Sequence, residues 1–301
     1  MTRALTRRWV SSLSELLLEV PLFPGRLRLV DTIGKFTSRI GDGRVTFSPW
    51  PGARLEVDLH DRIERQMWGG CFEAHVRKCF ETLLKKDDVF LDIGAHIGYH
   101  TLVGACLVGA AGKVFAFEPD PVLYGRLVRN VEPFPWVRVF PYAVWESSGT
   151  LLFERSSAAG ESGWGTLTAV RDLGQGHHIA VEAVSLDDWC EKCPLDRVRA
   201  IKIDAEGSEP RILRGAQKLI RRFRPAVVLE MNEVVLRQAG SSSVALAEHL
   251  FRLDYELFGL SWPRLERLAE GQDLLSSEVL CIPAEQAKAT LESLGKAGFK
   301  S

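Results

Sequence analysis

The chain has 301 residues, 46% hydrophobic and 26% charged, the ordinary balance of a soluble globular protein. Its formal net charge is −1, so it lacks the basic excess that favours nucleic acid as a partner. Six cysteines are scattered along it, and the lone C-x-x-C pair, Cys190 and Cys193, gives little support to a zinc or redox site. We expect a cytoplasmic protein with reduced thiols.

An N-terminal lead-in is predicted over residues 1–84, and a main domain over residues 85–301 with its core at residues 88–232. Residues 1–23 are basic and then apolar with two interrupting glutamates, which predicts an amphipathic helix rather than a signal peptide or a membrane span. A peripheral membrane contact through this helix is the alternative to packing on the domain. Short strands are expected at residues 26–29, 45–47 and 55–59, and a helix at residues 72–84.

Alternating strands and helices begin at residues 88–99, DVFLDIGAHIGY. The apolar run at residues 89–93 is typical of a strand buried on both faces of a parallel sheet. A glycine turn, D-x-G-x-x-x-G, follows it and leads into an apolar helix, which is a nucleotide-binding arrangement. The β-α-β alternation predicts an α/β fold with a parallel sheet. Further strands are expected at residues 113–117, 137–140, 179–184, 200–204, 226–229, 255–260 and 278–282.

Residues 146–178 interrupt this alternation with glycines and serines. Long loops in compact domains are commonly functional or mobile. We expect this insertion, with one hairpin near residues 151–153, to cover a substrate.

Two residues restrict the choice of nucleotide. Glu118 ends the second strand of the alternation, 26 positions after Asp92 (118 − 92), where an acid accepts hydrogen bonds from ribose hydroxyls. NAD and S-adenosylmethionine both carry a ribose, but a dinucleotide fingerprint needs glycine where this chain has His96. Asp92 at the mouth of the turn would also repel a pyrophosphate, whereas it suits an amino group or a sulfonium. The turn therefore favours S-adenosylmethionine, with an NAD-linked oxidoreductase as the alternative.

The stretch from Val89 to Asn232 resembles the FkbM family of S-adenosylmethionine-dependent methyltransferases. IKIDAEGSE (201–209) is the motif most specific to this family, since D-x-G-x-x-x-G occurs across many methyltransferases. The lead-in at residues 52–76 is also similar to the sequence before the core in this family. The matching motifs are VFLDIGAHIGYHT (89–101), KVFAFEPDP (113–121), AVSLDDW (183–189), AIKIDAEGSEPRILRGA (200–216) and AVVLEMN (226–232).

The resemblance implies a Rossmann-like class I methyltransferase fold, a seven-stranded and mostly parallel sheet with helices on both faces. It also implies methyl transfer to a hydroxyl of a small molecule, sugar or glycolipid. His96 departs from the family's usual G-A-N-x-G turn, and we expect it to titrate near neutral pH while cofactor binding persists. The expected cofactor contacts are Asp92, Gly94, Ala95, His96, Gly98, Glu118 and Asp120.

O-methylation needs an aligned acceptor oxygen and removal of its proton. Asp204 ends the strand predicted beside the first and is the leading candidate for the base, with Glu206 next. Glu209 and Glu230 could complete an acidic cluster that raises the pKa of one carboxyl, or Asp204, Glu206 and Glu230 could hold Mg²⁺. A protein that binds S-adenosylmethionine without transferring methyl is a further alternative. The acceptor's identity and the oligomeric state are left open.

Overall fold

A computed structural model describes residues 13–14, 17, 25–39, 42–154, 166–168, 178–272 and 276–300. Within these ranges, every helix is too short or too polar to cross a bilayer. The helix predicted at residues 1–23 lies almost entirely outside the described residues and stays a prediction. The strands are β1 (Arg44–Phe47), β2 (Leu55–Asp58), β3 (Val89–Ile93), β4 (Lys113–Phe117), β5 (Val137–Phe140), β6 (Tyr142–Val144), β7 (Gly149–Glu154), β8 (Thr166–Thr168), β9 (His178–Val184), β10 (Ala200–Ile203), β11 (Ala226–Asn232), β12 (Tyr255–Ser261), β13 (Arg264–Arg267) and β14 (Ser276–Pro283). The helices are α1 (Arg26–Ser38), α2 (Arg62–Trp68), α3 (Ala74–Leu83), α4 (Tyr99–Val108), α5 (Pro121–Val131), α6 (Leu186–Lys192), α7 (Glu209–Arg214), α8 (Gln217–Phe223), α9 (Glu233–Gln238), α10 (Ser243–Phe251) and α11 (Ala284–Lys296).

The main sheet has the strand order β13-β12-β14-β11-β10-β3-β4-β5 among the described residues. The five strands from β11 to β5 are parallel, whereas β14 pairs antiparallel with both β11 and β12. The predicted α/β fold with a mostly parallel sheet and helices on both faces is confirmed. An eighth strand, β13, extends the expected seven, because the chain reverses after β12 and pairs with it as a hairpin at the sheet edge.

The central strands place Ala116, Asp92, Lys202 and Val228 side by side in one row. Because side chains of a strand alternate between faces, this row lies on one face of the sheet, the face against α3, α4, α5 and α11. The opposite face packs against α6 to α10. Each large apolar side chain buried in these layers contributes about 1.5–3 kcal/mol, so these apolar layers supply the main stabilisation of the sheet.

The strand expected at residues 26–29 is wrong, since these residues form the first turn of α1. Their alternation of arginine and leucine fits a strand pattern, but tertiary contacts decide otherwise. Arg26 is buried and donates to the Gly69 carbonyl at 2.8 Å, and Gly34 lies directly against Arg65 of α2. The strands expected at residues 45–47 and 55–59 are confirmed as the β1–β2 hairpin.

The described part of the insertion belongs to a second sheet with the order β6-β9-β7-β8. The hairpin expected near residues 151–153 is confirmed by the pairing of β7 with β8. Residues 155–165 and 169–177 lie outside the described residues, so a cover formed by them stays a prediction.

Candidate active site

The carboxyl ends of four parallel strands bring a second row of residues, one from each strand, to the wall of an open cavity. Glu118 follows β4, Gly94 follows β3, Asp204 follows β10, and Glu230 lies near the end of β11; all four line the cavity. The next strand, β14, adds Glu278 opposite Glu230. Strands are about 4.8 Å apart, so Glu118 and Asp204 are separated by about 10 Å across the sheet. A ligand can therefore contact both ends of this row at once.

The glycine turn after β3 is held by its two glycines and by Glu118. Gly94 has φ +77°, and a Cβ atom there would lie 1.8 Å from the Asp204 carbonyl oxygen. Gly98 has φ +97° and directly precedes α4, and a Cβ atom there would lie 2.7 Å from Leu127 Cδ1. Between them, the His96 N–H donates to Glu118 Oε2 at 2.8 Å and ties the turn to β4. Positions 94 and 98 therefore favour glycine, because each has a positive φ and no room for a Cβ atom.

Glu118 is 5% exposed and lines the cavity. Its Oε1 accepts from the Asp120 N–H at 2.9 Å, which fixes the second oxygen as well. Burial, against these two backbone hydrogen bonds, raises the pKa of Glu118 to about 7. Each carboxylate oxygen keeps a second lone pair, so the group can still accept hydrogen bonds from ligand hydroxyls.

The remaining candidate cofactor residues support the turn and do not themselves line the cavity. Asp92 is buried beneath it, where Oδ2 accepts from the Thr101 hydroxyl at 2.6 Å, and Oδ1 has no hydrogen-bond partner among the described residues. Ala95 and Gly98 form the turn backbone. Asp120 caps α5 by accepting from the Val122 N–H at 2.7 Å. Of the seven candidates, the structure places Gly94, His96 and Glu118 on the cavity wall.

The expectation that His96 titrates near neutral pH is wrong. The residue is half-buried at the cavity wall, and burial lowers the pKa of His96 to about 4. Its backbone takes the left-handed conformation, with φ +53°. His96 is therefore neutral at physiological pH, and its backbone N–H makes the contact with Glu118 described above.

The acidic cluster expected from the sequence forms at the other end of the row. One carboxylate oxygen each of Asp204, Glu206 and Glu230 lie within 4.8 Å of one another. Burial, followed by the charge of Asp204, raises the pKa of Glu206 to about 9 and that of Glu230 to about 8. Both are therefore largely protonated at neutral pH and can donate a hydrogen bond. Glu209 does not line the cavity, since it is buried and accepts from the Ala205 N–H at 3.0 Å.

Lys202 is a cavity residue that the sequence analysis missed. Its ammonium lies 2.8 Å from Asp204 Oδ2 and 3.7 Å from Glu73 Oε2. Glu73 is the N-cap of α3 and also accepts from His100 Nε2 at 2.8 Å. Burial acts to raise the pKa of Glu73, but Lys202 and His100 together lower it to about 2. The sequence feature that could have revealed Lys202 is a lysine inside the apolar strand AIKI, since a buried charge needs buried partners.

An apolar wall completes the lining of the cavity. Its residues come from the lead-in before β3 and from the second sheet. From α2 and the α3 region come Ile63, Met67, Phe72 and Val76, and from the second sheet come Tyr142, Ala143, Val144 and Phe153. No single motif marks these residues, because each sequence position is an ordinary apolar one.

The residues present fit S-adenosylmethionine. Glu118 offers acceptors for ribose hydroxyls at the cavity wall, and beneath the glycine turn the buried Asp92 Oδ1 has no hydrogen-bond partner within the described ranges. Gly94 lies at the cavity wall between Glu118 and Asp204, and because it has no side chain a ligand can approach its backbone closely.

A family model described as the methyltransferase FkbM domain matches residues 92–257. The chain belongs to the FkbM methyltransferase family. It is 30% identical over 146 residues to the hexuronic acid methyltransferase AglP of Haloferax volcanii, covering 48% of this chain and 56% of that protein. It is 29% identical over 160 residues to the 2-O-methyltransferase NoeI of Sinorhizobium fredii, covering 49% and 65%. The match thus spans under two thirds of the length of each of these relatives.

Among solved structures, this FkbM family member is similar to a methyltransferase FkbM from Methylobacillus flagellatus. The TM-score is 0.43 at 17% identity, covering 73% of this chain and 52% of that one.

Proposed function

We propose that this protein transfers the methyl group of S-adenosylmethionine to a hydroxyl of a saccharide-like small molecule. The observation that carries the proposal is that Glu118 and Asp204, which follow β4 and β10, line the same cavity. Family membership supports methyl transfer, and the names of both relatives refer to methyl transfer, one of them to a hexuronic acid. The pyrophosphate of NAD has no glycine at His96 to approach, so an oxidoreductase is disfavoured.

When bound, S-adenosylmethionine supplies a methyl group already activated on a sulfonium. What this chain adds is position and proton transfer. Glu118 holds the ribose, Gly94 permits close approach of the ligand to the backbone, and the apolar wall excludes water from the acceptor. Asp204 takes the proton from the acceptor hydroxyl at Oδ1 or Oδ2, while protonated Glu206 and Glu230 donate hydrogen bonds to neighbouring acceptor oxygens.

A divalent cation is the alternative for the acidic end of the cavity. The oxygens of Asp204, Glu206 and Glu230 are close enough to share Mg²⁺. However, Lys202 already donates to Asp204 at 2.8 Å, so an ion bound to that oxygen would have to displace an ammonium group. We expect transfer to be unchanged after chelation with EDTA and after return of Mg²⁺. A more than threefold stimulation by the returned ion would reject this view of the cluster.

The test of the proposed function has two steps. Calorimetric titration with S-adenosylhomocysteine and with NAD identifies the nucleotide, and we expect binding of the first alone. Incubation with S-adenosylmethionine and a panel of methyl glycosides (neutral hexoses, 6-deoxyhexoses, an amino sugar and a hexuronic acid) then identifies the acceptor by mass spectrometry. Binding of NAD alone would reject the methyltransferase proposal. Binding of S-adenosylhomocysteine without methylation of any glycoside would leave the non-catalytic binding protein as the better description.

A further inference from the structure

Lys202 is a buried cation in the middle of the main sheet. It is 4% exposed, and its neighbours in the same row of this sheet face are Asp92 on β3 and Val228 on β11. A charge in such a place is costly unless it is paired. Replacing a buried ion pair by well-packed apolar residues is often neutral or stabilising, so the ion pair by itself is weak evidence for a stabilising role.

The geometry shows which partner Lys202 is aimed at. Its ammonium is within hydrogen-bond distance of Asp204 Oδ2, at 2.8 Å, while Glu73 lies at 3.7 Å, beyond that distance. Glu73 Oε2 instead accepts a hydrogen bond from His100. Glu73, held by His100, is therefore a fixed counter-charge near Lys202, and Lys202 makes its directional contact with Asp204.

The surroundings of Asp204 explain why this contact matters. On the cavity side it faces Glu206 and Glu230, and the buried Glu209 lies on the following helix. Asp92 and Glu73 add acids from β3 and α3, and Glu278 on β14 is paired with His75 at 3.0 Å. Lys202 is the cation in direct contact with Asp204 among the described residues. Its charge offsets those of Asp204 and Glu73, and its N–H orients the Asp204 side chain.

We propose that Lys202 is a positioning residue for methyl transfer, which holds the Asp204 carboxylate toward the acceptor while Glu73 and His100 hold Lys202. This inference rests on the proposed function and adds to it the residue through which Asp204 is oriented. It predicts that Lys202 affects transfer through Asp204 and has little effect on nucleotide binding at Glu118, about 10 Å away across the sheet.

A double-mutant cycle tests this dependence. The variants are Lys202→Met, Asp204→Asn and the combination of both, assayed for kcat with S-adenosylmethionine and the methyl glycoside that the panel identifies. A misplaced base costs about 10²-fold in rate, so each single variant is expected to lose about 10²-fold. The combined variant is expected to lose about 10²-fold as well rather than about 10⁴-fold, since a residue acting through another adds nothing once that partner is removed.

Two controls separate positioning from a loss of structure. The affinity of each variant for S-adenosylhomocysteine is expected to stay within threefold of wild type. Lys218→Met removes an exposed lysine of α8 paired with Glu191, and it should leave kcat unchanged. Additive losses in the double variant, or a Lys202→Met enzyme within threefold of wild type, would overturn the positioning role alone. Wild-type protein that binds S-adenosylhomocysteine and methylates no glycoside would overturn the proposed function and this role with it.

Discussion

Protonation of Glu118 should control cofactor affinity near neutral pH. The carboxyl is buried on the cavity wall, and its pKa is raised to about 7. Ribose hydroxyls donate to a carboxylate better than to a carboxylic acid, so binding favours the ionised form. Affinity must then rise as the pH increases through about 7 and fall as the pH decreases below it.

The size of the effect follows from the ionised fraction. With a pKa of about 7, this fraction is about 0.9 at about pH 8 and about 0.1 at about pH 6, so the Kd should be about tenfold higher at the lower pH. S-adenosylhomocysteine is the right probe because its sulfur is uncharged, which reduces any contribution from the titration of Glu206 and Glu230. Calorimetry in buffers of different ionisation enthalpy should also detect proton release on binding.

Glu118→Gln removes the titrating group and should make the Kd independent of pH over this range. It should also weaken binding at the upper pH by about 10–100-fold, the usual loss for a hydrogen bond to a charged group. Glu132→Gln, an exposed position at the end of α5, is the matched control and should behave as wild type. An equal pH dependence in wild type and Glu118→Gln would assign the effect to another group and refute the role given to Glu118.

Two further predictions concern the framework of the site. Gly94→Ala places a Cβ 1.8 Å from a backbone oxygen at a positive φ, so we expect a lower Tm and loss of S-adenosylhomocysteine binding, whereas Gly125→Ala, with only the end of the Arg129 side chain within 4 Å, should leave both intact. Arg126→Met removes the partner of the buried Glu64, to which Arg126 donates at 2.6 Å, and should cost about 3–5 kcal/mol, read as a Tm lower by about 5–15 °C. Arg252→Met, from an exposed pair with Glu248, is its control, and an equal Tm change in the two arginine variants would contradict the buried-pair reasoning.

The central strands and the glycine turn could be predicted because their signals are local. The run VFLDI is buried on both faces and apolar apart from Asp92, and the glycines that follow occupy positions where a Cβ does not fit. The start of helix α5 could be predicted in the same way, since Asp120 is its N-cap and the proline after it is the first helical residue. Neighbouring residues explain the strand and the cap of α5, whereas the need for glycine at position 94 comes from the Asp204 carbonyl, which is distant in sequence.

The parts that escaped prediction depend on distant contacts. The RLRL pattern of residues 26–29 becomes helical because Arg26 reaches a carbonyl 43 positions away. The protonation of His96 depends on burial against distant parts of the chain, which the turn sequence does not show. Lys202 contacts Asp204, two positions later, but the counter-charge of Glu73 comes from 129 positions earlier (202 − 73). The strand pattern therefore predicted where the acids lie, at the carboxyl ends of the strands. The role of Lys202 among them became visible only in the tertiary structure.

The cavity wall from α2 and the α3 region lies before residue 92, where the match to the family begins. The glycine turn and this wall thus lie on separate stretches of chain. Substitutions at Ile63, Met67 or Phe72 would therefore reshape the wall without changing the sequence of the glycine turn. An exchange of the whole stretch 62–76 would also replace Glu64, the partner of Arg126, and Glu73, which lies beside Lys202, so single substitutions are the narrower way to alter the shape of the acceptor side of the cavity.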